Sequence, residues 1–135
     1  MLRDEDKKAL SKLRMENAEE CLHDAAVLLE TGSYKSSANR SYYAVFHAMR
    51  SVLALDGIDR RHHSGIISEF RRLYIKTGIF SAEYSKIIED QLIFRTGSDY
   101  NDYFVISRED AVAQTVSARR FLDAIEAYLK NKISV

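Results

Sequence analysis

Apolar residues recur every three or four positions along most of this 135-residue chain, which is the spacing that lines one side of an α-helix. The first such segment runs from about residue 4 to residue 30, where Gly32 stops it and Ser33 caps the next helix. The second segment runs to about residue 55 and is interrupted at Gly57. The pattern therefore predicts two long amphipathic helices in the first half of the chain.

The second half predicts three more helices. The third follows a short basic link at residues 58–62 and stops at Gly78, and the fourth runs from about Ser81 to about Arg95. Residues 96–106 form the longest irregular stretch. Ser107 and Asp110 then resemble a capping box at the start of the last helix. Because short connections favour antiparallel neighbours, we expect an all-α, up-and-down bundle of four long helices and one short helix, forming a single domain over residues 1–135.

Composition agrees with this fold and bears on location. The chain has no proline and only five glycines, so its helices can run without interruption. Its single cysteine, Cys21, lies on the apolar side of the first helix and is interpreted as a buried structural residue. The first eight residues carry charges of both signs, and no apolar run reaches membrane-spanning length. We therefore expect a cytoplasmic protein without a targeting peptide or a membrane partner.

The net charge is zero, but the charges are distributed unevenly. Residues 31–76 hold eight basic and three acidic side chains together with three of the four histidines, whereas residues 1–30 and 77–106 are acidic. If these basic groups are continuous in space, they attract phosphates in spite of the zero net charge. The alternative is that the arginines pair with acidic side chains on neighbouring helices.

Two residues with chemical potential, Arg40 and His47, lie in the second predicted helix. They are seven residues apart, so both side chains leave the helix in nearly the same direction. They point away from the apolar positions Ala38, Tyr42, Val45, Phe46, Met49, Val52 and Leu53. The same far side carries the small and polar residues Ser36, Tyr43, Ala44, Ser51 and Ala54. We interpret this far side as a surface that another molecule covers.

Other common chemistries have no motif in this chain. It lacks a glycine-rich phosphate loop, a Cys-x-x-Cys pair, a His-Glu-x-x-His sequence and the Glu-x-x-His pairs of di-metal bundles, so we predict neither a metal site nor a cofactor. His62 and His63 are adjacent and point about 100° apart on a helix, and we interpret them as a solvated helix start. His23 is interpreted as a surface or interhelical residue.

One combination of motifs resembles a known family. The motifs are the run from Asn39 to Ala48, Gly65, the sequence Arg95-x-x-x-Asp99-Tyr100, and the helix with Ala118-x-x-Phe121-Leu122. Together they resemble the HEPN domain family, and within it the small prokaryotic HEPN proteins that are often encoded beside a minimal nucleotidyltransferase. The resemblance covers nearly the whole chain and implies a helical bundle that is usually dimeric. It also implies a nucleotidyltransferase antitoxin as the partner.

The resemblance assigns roles to Arg40 and His47. In toxin members of the family an Arg-x4-6-His motif carries metal-independent endoribonuclease activity, which implies these two residues as its counterparts here. Active members commonly have Asn, Asp or His directly after the arginine, whereas this chain has Ser41 there and Asn39 before it. Met49 occupies the position where one subgroup has a tyrosine that the partner modifies with AMP. A non-catalytic module that binds nucleotide or the partner therefore stays open, as does a structural role for the pair.

The proposed chemistry suits these residue types. RNA cleavage without a metal needs a base for the 2′-hydroxyl, stabilisation of charge on the phosphorane and an acid for the leaving 5′-oxygen. Histidine can serve as base or acid, and a guanidinium binds phosphate with two parallel hydrogen bonds. One histidine does not readily perform both proton transfers. We therefore expect a two-fold homodimer that brings Arg40 and His47 of both protomers into one cleft, with Tyr43 stacking on a base or sealing the interface.

A second group of candidates lies after the fourth helix. Asp99 follows Arg95 by four residues. It either caps the helix end or pairs with Arg95, or else it reaches the second helix to orient Arg40 or His47. The full set of expected binding or supporting residues is Asn39, Ser41, Tyr43, Arg95, Asp99 and Tyr100.

Overall fold

A computed structural model of the protein describes residues 2–133. Across these residues the helices are α1 (Asp4–Glu30), α2 (Tyr34–Leu55), α3 (His63–Phe70), α4 (Ala82–Tyr100) and α5 (Arg108–Ile133). A π-helical turn, Arg71–Ile75, continues α3 directly. The described residues contain no strand, so the prediction of an all-α bundle with four long helices and one short helix is confirmed. No helix in this part of the chain is both long enough and apolar enough to cross a membrane.

The first two helices end as the glycine positions predict. Gly32 and Gly57 have φ values of +79° and +69°, in the left-handed region that residues with a Cβ avoid. After α1 the N–H groups of Gly32 and Ser33 donate to the carbonyl oxygens of Leu29 and Leu28. This pairing is the Schellman motif, which satisfies the last carbonyl groups of a helix and turns the chain back toward α2.

The line of small residues on α2 packs against α1. The Ser37 hydroxyl donates to the carbonyl oxygen of Ala25 at 2.7 Å, and Ser51 Oγ lies 3.9 Å from the sulfur of Met15. The first contact joins the start of α2 to the end of α1, and the second joins the end of α2 to the first half of α1. The two helices are therefore antiparallel. Ala44 lies midway between the two serines, seven residues from each, and is fully buried. Small side chains here allow the two helix backbones to approach closely.

The expectation that a partner covers the far side of α2 is therefore wrong for Ala44, Ser51 and Ala54. All three are buried inside one protomer, because α2 is central and packs against α1, α3, α4 and α5. A charged residue at Ala44 would disrupt the protomer itself rather than report on dimerisation. Between residues 36 and 50, the positions of α2 that keep solvent contact form a narrower line, which we call the accessible stripe: Ser36, Asn39, Arg40, Tyr43, His47 and Arg50.

Helix α4 is longer than predicted. It continues through Tyr100, five residues past the expected end at Arg95, so the irregular connection shrinks to residues 101–107. Gly97 lies inside the helix instead of ending it. Because it has no Cβ, the ring of Phe104 can pack directly against the helix backbone at this position. A Cβ at this position would lie 2.5 Å from that ring. The extension also carries an ion pair between Arg95 and Asp99, one helical turn apart, with 3.5 Å between Nε and Oδ2.

Two local predictions agree with the structure. The N–H of Ser107 donates to Asp110 Oδ2 at 3.1 Å, and the N–H of Asp110 donates to Ser107 Oγ at 3.0 Å, which is the reciprocal geometry of a capping box. Cys21 is a buried free thiol in the core. Burial is the first cause that raises the pKa of this thiol, and a thiol that stays protonated is a poor nucleophile.

Candidate functional site

The accessible stripe of α2 meets the first residue of α3 and the later turns of α4. Tyr42 Oη lies 3.1 Å from Nδ1 of His63, and the Arg95 guanidinium carbon lies 5.0 Å from the centroid of the Tyr42 ring. Side chains of α3 and α4 therefore converge on α2. We call this group the His47 cluster: Arg40, Tyr42, Tyr43, Phe46, His47, Arg50, His63 and Arg95.

Arg40 holds its guanidinium beside an amide and an aromatic ring. Its Nη2 and Nε donate to Asn39 Oδ1 at 2.8 and 3.2 Å, and its central carbon lies 4.9 Å from the centroid of Tyr43. Among residues 2–133, no Asp or Glu forms an ion pair with it. A neutral amide and a ring hold the side chain in place while leaving its full charge for an anion.

His47 is half-buried beside Phe46, with 5.7 Å between the ring centroids. Its Nδ1 is buried and has no hydrogen-bond partner in the described part of the chain. Burial first, and then the positive charges of Arg50, Arg40 and Arg14, lower the pKa of His47 below its ordinary value of 6.5. The ring is therefore neutral at pH 7 and can accept a proton, as a general base must.

Two arginines beside His47 share one carboxylate. Arg14 of α1 donates through Nη1 to the carbonyl oxygen of Arg50 at 3.2 Å. Both guanidinium groups contact Asp59, each at 3.4 Å. Two positive charges against one negative charge leave this neighbourhood positive. The sequence analysis did not include Arg14. The spacing could have indicated it, because Arg14 is a charged residue that falls among the regularly spaced buried positions of α1.

His63 also belongs to the site: it starts α3 as predicted, but its ring is partly covered rather than solvated. Its ring stacks on Phe46, with 4.0 Å between centroids and 25° between planes, and Nδ1 contacts the Tyr42 hydroxyl. Burial first, and then Arg95 and Arg50, lower its pKa. A helical projection gives the direction of a side chain on its own helix only. It therefore contains no signal that the start of α3 folds against the middle of α2.

The remaining predicted residues occupy different environments. Asp99 pairs with Arg95, which is the first of the two predicted alternatives. Its ion pairs and side-chain hydrogen bonds in residues 2–133 include neither predicted catalytic residue. Tyr100 is 81 % exposed and lies outside the cluster. Ser41 is fully buried, so of the two expected roles, binding or supporting, only the supporting one stays open for it.

In the basic middle segment, residues 31–76, several arginines form ion pairs with carboxylates. Arg60 and Arg72 both pair with Glu69, and Arg71 pairs with Glu89. These pairs agree with the second predicted alternative, in which arginines bind neighbouring carboxylates. The His47 cluster is a second positive region, to which α1 adds Arg14 and α4 adds Arg95 from outside the basic segment.

A surface cavity of about 320 Å³ opens beside Arg40. It is lined by Leu28, Lys35, Ser36, Asn39, Arg40, Ser98 and Asp99. Lys35 and Arg40 supply two cationic groups to it, and Asp99 supplies an acceptor of hydrogen bonds. Its volume lies in the range of small-molecule sites. Within residues 2–133, no group of three or more His, Cys, Asp or Glu side chains is arranged to hold a metal ion.

Comparison with known proteins agrees with this geometry at the level of the fold. The profile of the HEPN domain family matches residues 11–128. A protein of Thermotoga maritima named UPF0332 protein is 33% identical over 114 residues, which cover 84% of this chain and 86% of that protein. A protein of Methanocaldococcus jannaschii named Putative toxin MJ0605 is 30% identical over 116 residues, covering 86% of each. The crystal structure of ST0689, an archaeal HEPN homologue, matches with a TM-score of 0.61 at 21% identity, covering 96% of this chain and 100% of that chain.

Proposed function

The chain belongs to the HEPN domain family, and from this membership and the His47 cluster we propose that it is a toxin-like, metal-independent endoribonuclease. Arg40 and His47 are its catalytic residues. The observation that carries the proposal is that one accessible stripe holds a neutral imidazole and an unneutralised guanidinium two helical turns apart. Relatives named as putative toxins support the toxin-like class.

The two residues divide the chemistry. His47 takes the proton from a ribose 2′-hydroxyl, and the oxygen attacks the neighbouring phosphorus. Arg40 donates N–H groups to the non-bridging oxygens, where negative charge builds up in the transition state. The bond from phosphorus to the 5′-oxygen breaks, and this oxygen takes up a proton. The products are a 2′,3′-cyclic phosphate and a 5′-hydroxyl.

Other members of the cluster suit the binding of single-stranded RNA. Arg50 adds positive charge beside His47 and Arg95 adds it beside Tyr43, and such charge binds the phosphates next to the cleaved one. Tyr43 is half-buried with part of its ring accessible, so a base can stack on it.

Purified protein, freed of any partner, is expected to cleave single-stranded RNA in excess EDTA. The reason is that both catalytic groups are side chains and neither needs a metal to act. End-group analysis of the fragments should detect 2′,3′-cyclic phosphate or 3′-phosphate together with 5′-hydroxyl ends. Cleavage that depends on an added divalent cation, or fragments with 5′-phosphate ends, would contradict the proposal.

The proposal includes assembly and a partner. Two copies associate along the accessible stripe of α2, which brings the two His47 clusters into one basic groove. Because Ala44 and Ser51 are covered by α1, this contact uses the longer side chains of the stripe, such as Tyr43. A minimal nucleotidyltransferase is the proposed antitoxin, as the family resemblance implies.

Sedimentation equilibrium is expected to give the mass of a dimer at micromolar concentration. Tyr43→Glu should raise the dissociation constant by at least about 10-fold, because a two-fold axis places both new carboxylates in the same interface. Val116→Glu is the matched control, since Val116 is 63% exposed on α5, away from the stripe. A monomeric parent protein, or a Tyr43→Glu dimer as tight as the parent, would rule out the shared groove.

A second candidate function rests on the cavity beside Arg40. Lys35 and Arg40 suit a nucleotide phosphate, and Asp99 suits hydrogen-bond donors on the ribose or base. In this alternative the protein is a non-catalytic module that binds nucleotide or its nucleotidyltransferase. A parent protein that leaves RNA intact but binds AMP in calorimetry, and loses that binding in Lys35→Ala, would establish this alternative.

A further inference from the structure

We propose that His63 is the second proton-transfer residue of the site, protonating the leaving 5′-oxygen while His47 of the same protomer acts as the base. This inference rests on the proposed ribonuclease function and deepens it. It assigns a role to a residue outside the Arg-x6-His spacing. Its consequence is that each protomer contains both imidazoles that the reaction needs, so neither proton transfer depends on the partner's histidine.

The first support is the position of the two rings. His47 and His63 both lie against Phe46, at 5.7 and 4.0 Å between ring centroids. Both also lie against Tyr43, at 6.3 and 5.7 Å. The two imidazoles thus share the same two aromatic neighbours, and the charge of His63 acts on His47. Arg40 stacks on Tyr43 as well, so its guanidinium is placed to bind the scissile phosphate.

The second support is the different hydrogen bonding of the two rings. The Tyr42 hydroxyl contacts Nδ1 of His63 at 3.1 Å, and burial raises the pKa of Tyr42, so this hydroxyl stays protonated. A hydroxyl donates to a neutral imidazole and accepts from an imidazolium, so His63 keeps its partner in both protonation states. Nδ1 of His47 is buried and has no partner among residues 2–133, and a buried unpartnered nitrogen favours the neutral ring. These environments suit an acid at His63 and a base at His47.

The charges around the pair change when RNA binds. The charged groups that face the two rings are Arg14 from α1, Arg40 and Arg50 from α2, Asp59 before α3, and Arg95 with its partner Asp99 from α4. In the free protein, burial first and then the positive charge of the neighbouring arginines lower the pKa of both rings. A bound phosphate offsets that charge and so favours protonation. The ring that retains a hydrogen-bond acceptor, His63, is the one that takes up the proton.

The step balances in atoms and charge. His47 gains the proton of the 2′-hydroxyl as the bond from the 2′-oxygen to phosphorus forms. His63 gives its proton to the 5′-oxygen as the bond from phosphorus to that oxygen breaks. The reaction ends with His47 protonated and His63 neutral, and exchange of protons with water restores the starting state.

A sulfur-substituted substrate tests the acid role directly. In RNA with sulfur in place of the scissile 5′-oxygen, the leaving thiolate needs no protonation. His63→Ala is expected to slow cleavage of ordinary RNA by about 10²-fold, yet to stay within about 5-fold of the parent on the sulfur substrate. His47→Ala should be slow on both substrates, because each still requires the base. His62→Ala, at the neighbouring exposed residue, is the matched control and should match the parent on both.

Each outcome separates this inference from the function on which it rests. If the parent protein cleaves neither substrate, both proposals fail. If the parent cleaves RNA and His63→Ala is equally active, or is slowed equally on both substrates, only the acid role fails. Circular dichroism checks the fold of each variant. Should His63→Ala lose its helical signal, Tyr42→Phe takes its place, since it keeps both imidazoles and removes only the hydroxyl. Tyr42→Phe should cleave ordinary RNA more slowly than the parent but the sulfur substrate at about the parent rate. Equal rates on ordinary RNA, or equal slowing on both substrates, would overturn the inference.

Discussion

Replacing His47 with alanine is expected to slow RNA cleavage by about 10²- to 10⁴-fold, the usual scale for losing a general base. The substitution removes the neutral imidazole that accepts the 2′-hydroxyl proton. Because burial and neighbouring arginines lower the pKa of His47, the ascending limb of the parent's kcat/KM against pH should have its midpoint below 6.5. This ascending limb should disappear in the variant. Initial rates between about pH 5 and pH 8 measure both effects.

His23→Ala provides the control for His47→Ala. His23 is an exposed histidine of α1, so its removal changes the histidine content without touching the cluster. We expect the control to keep the rate and the pH profile of the parent protein. Full activity in His47→Ala would overturn the mechanism and leave the binding module as the better interpretation.

Replacing Arg40 with alanine is expected to cost about 10²- to 10³-fold in kcat, or about 3 to 4 kcal/mol of transition-state stabilisation. The effect is large because no carboxylate neutralises this guanidinium in the described residues, so its whole charge acts on the phosphorane. Arg40→Lys keeps the positive charge but loses the planar guanidinium that donates two parallel hydrogen bonds, and we expect an intermediate rate. Single-turnover cleavage of a short RNA with saturating protein separates this effect from weaker binding.

Arg120→Ala is the control matched in residue type. Its guanidinium pairs with Glu83 at 2.6 Å near the start of α4, at the opposite end of that helix from Arg95. We expect this variant to cleave RNA at the parent rate. Arg40→Ala should retain the parent's helical circular dichroism, because Arg40 lies on the accessible stripe. An Arg40→Ala protein with the parent's kcat would contradict the assigned role.

The bounds of α1 and α2, the helical class and the shared direction of Arg40 and His47 follow from the sequence alone. All of these depend on interactions between residues close in the chain. The three-to-four spacing defines a helix side, and glycines such as Gly32 mark its end because they reach a left-handed conformation cheaply. The capping box before α5 is local in the same sense.

The end of α4 shows where local rules fail. Gly97 within a polar stretch is typical of a loop, and its sequence neighbours give no reason to continue the helix. In the folded protein the ring of Phe104 occupies the space that a Cβ at Gly97 would fill. A tertiary contact therefore extends the helix through a residue that by itself is expected to end it.

Only the tertiary structure decided which side of α2 is free and which residues surround His47. A helical projection gives the direction of each side chain but not the number of helices around it. Because α1 covers the small residues of α2, Ala44 belongs to the core rather than to an interface. Arg14 and His63 reach His47 from segments more than ten residues away in the chain. Their approach depends on how the helices pack, and packing is set by long-range burial of apolar surface rather than by local spacing.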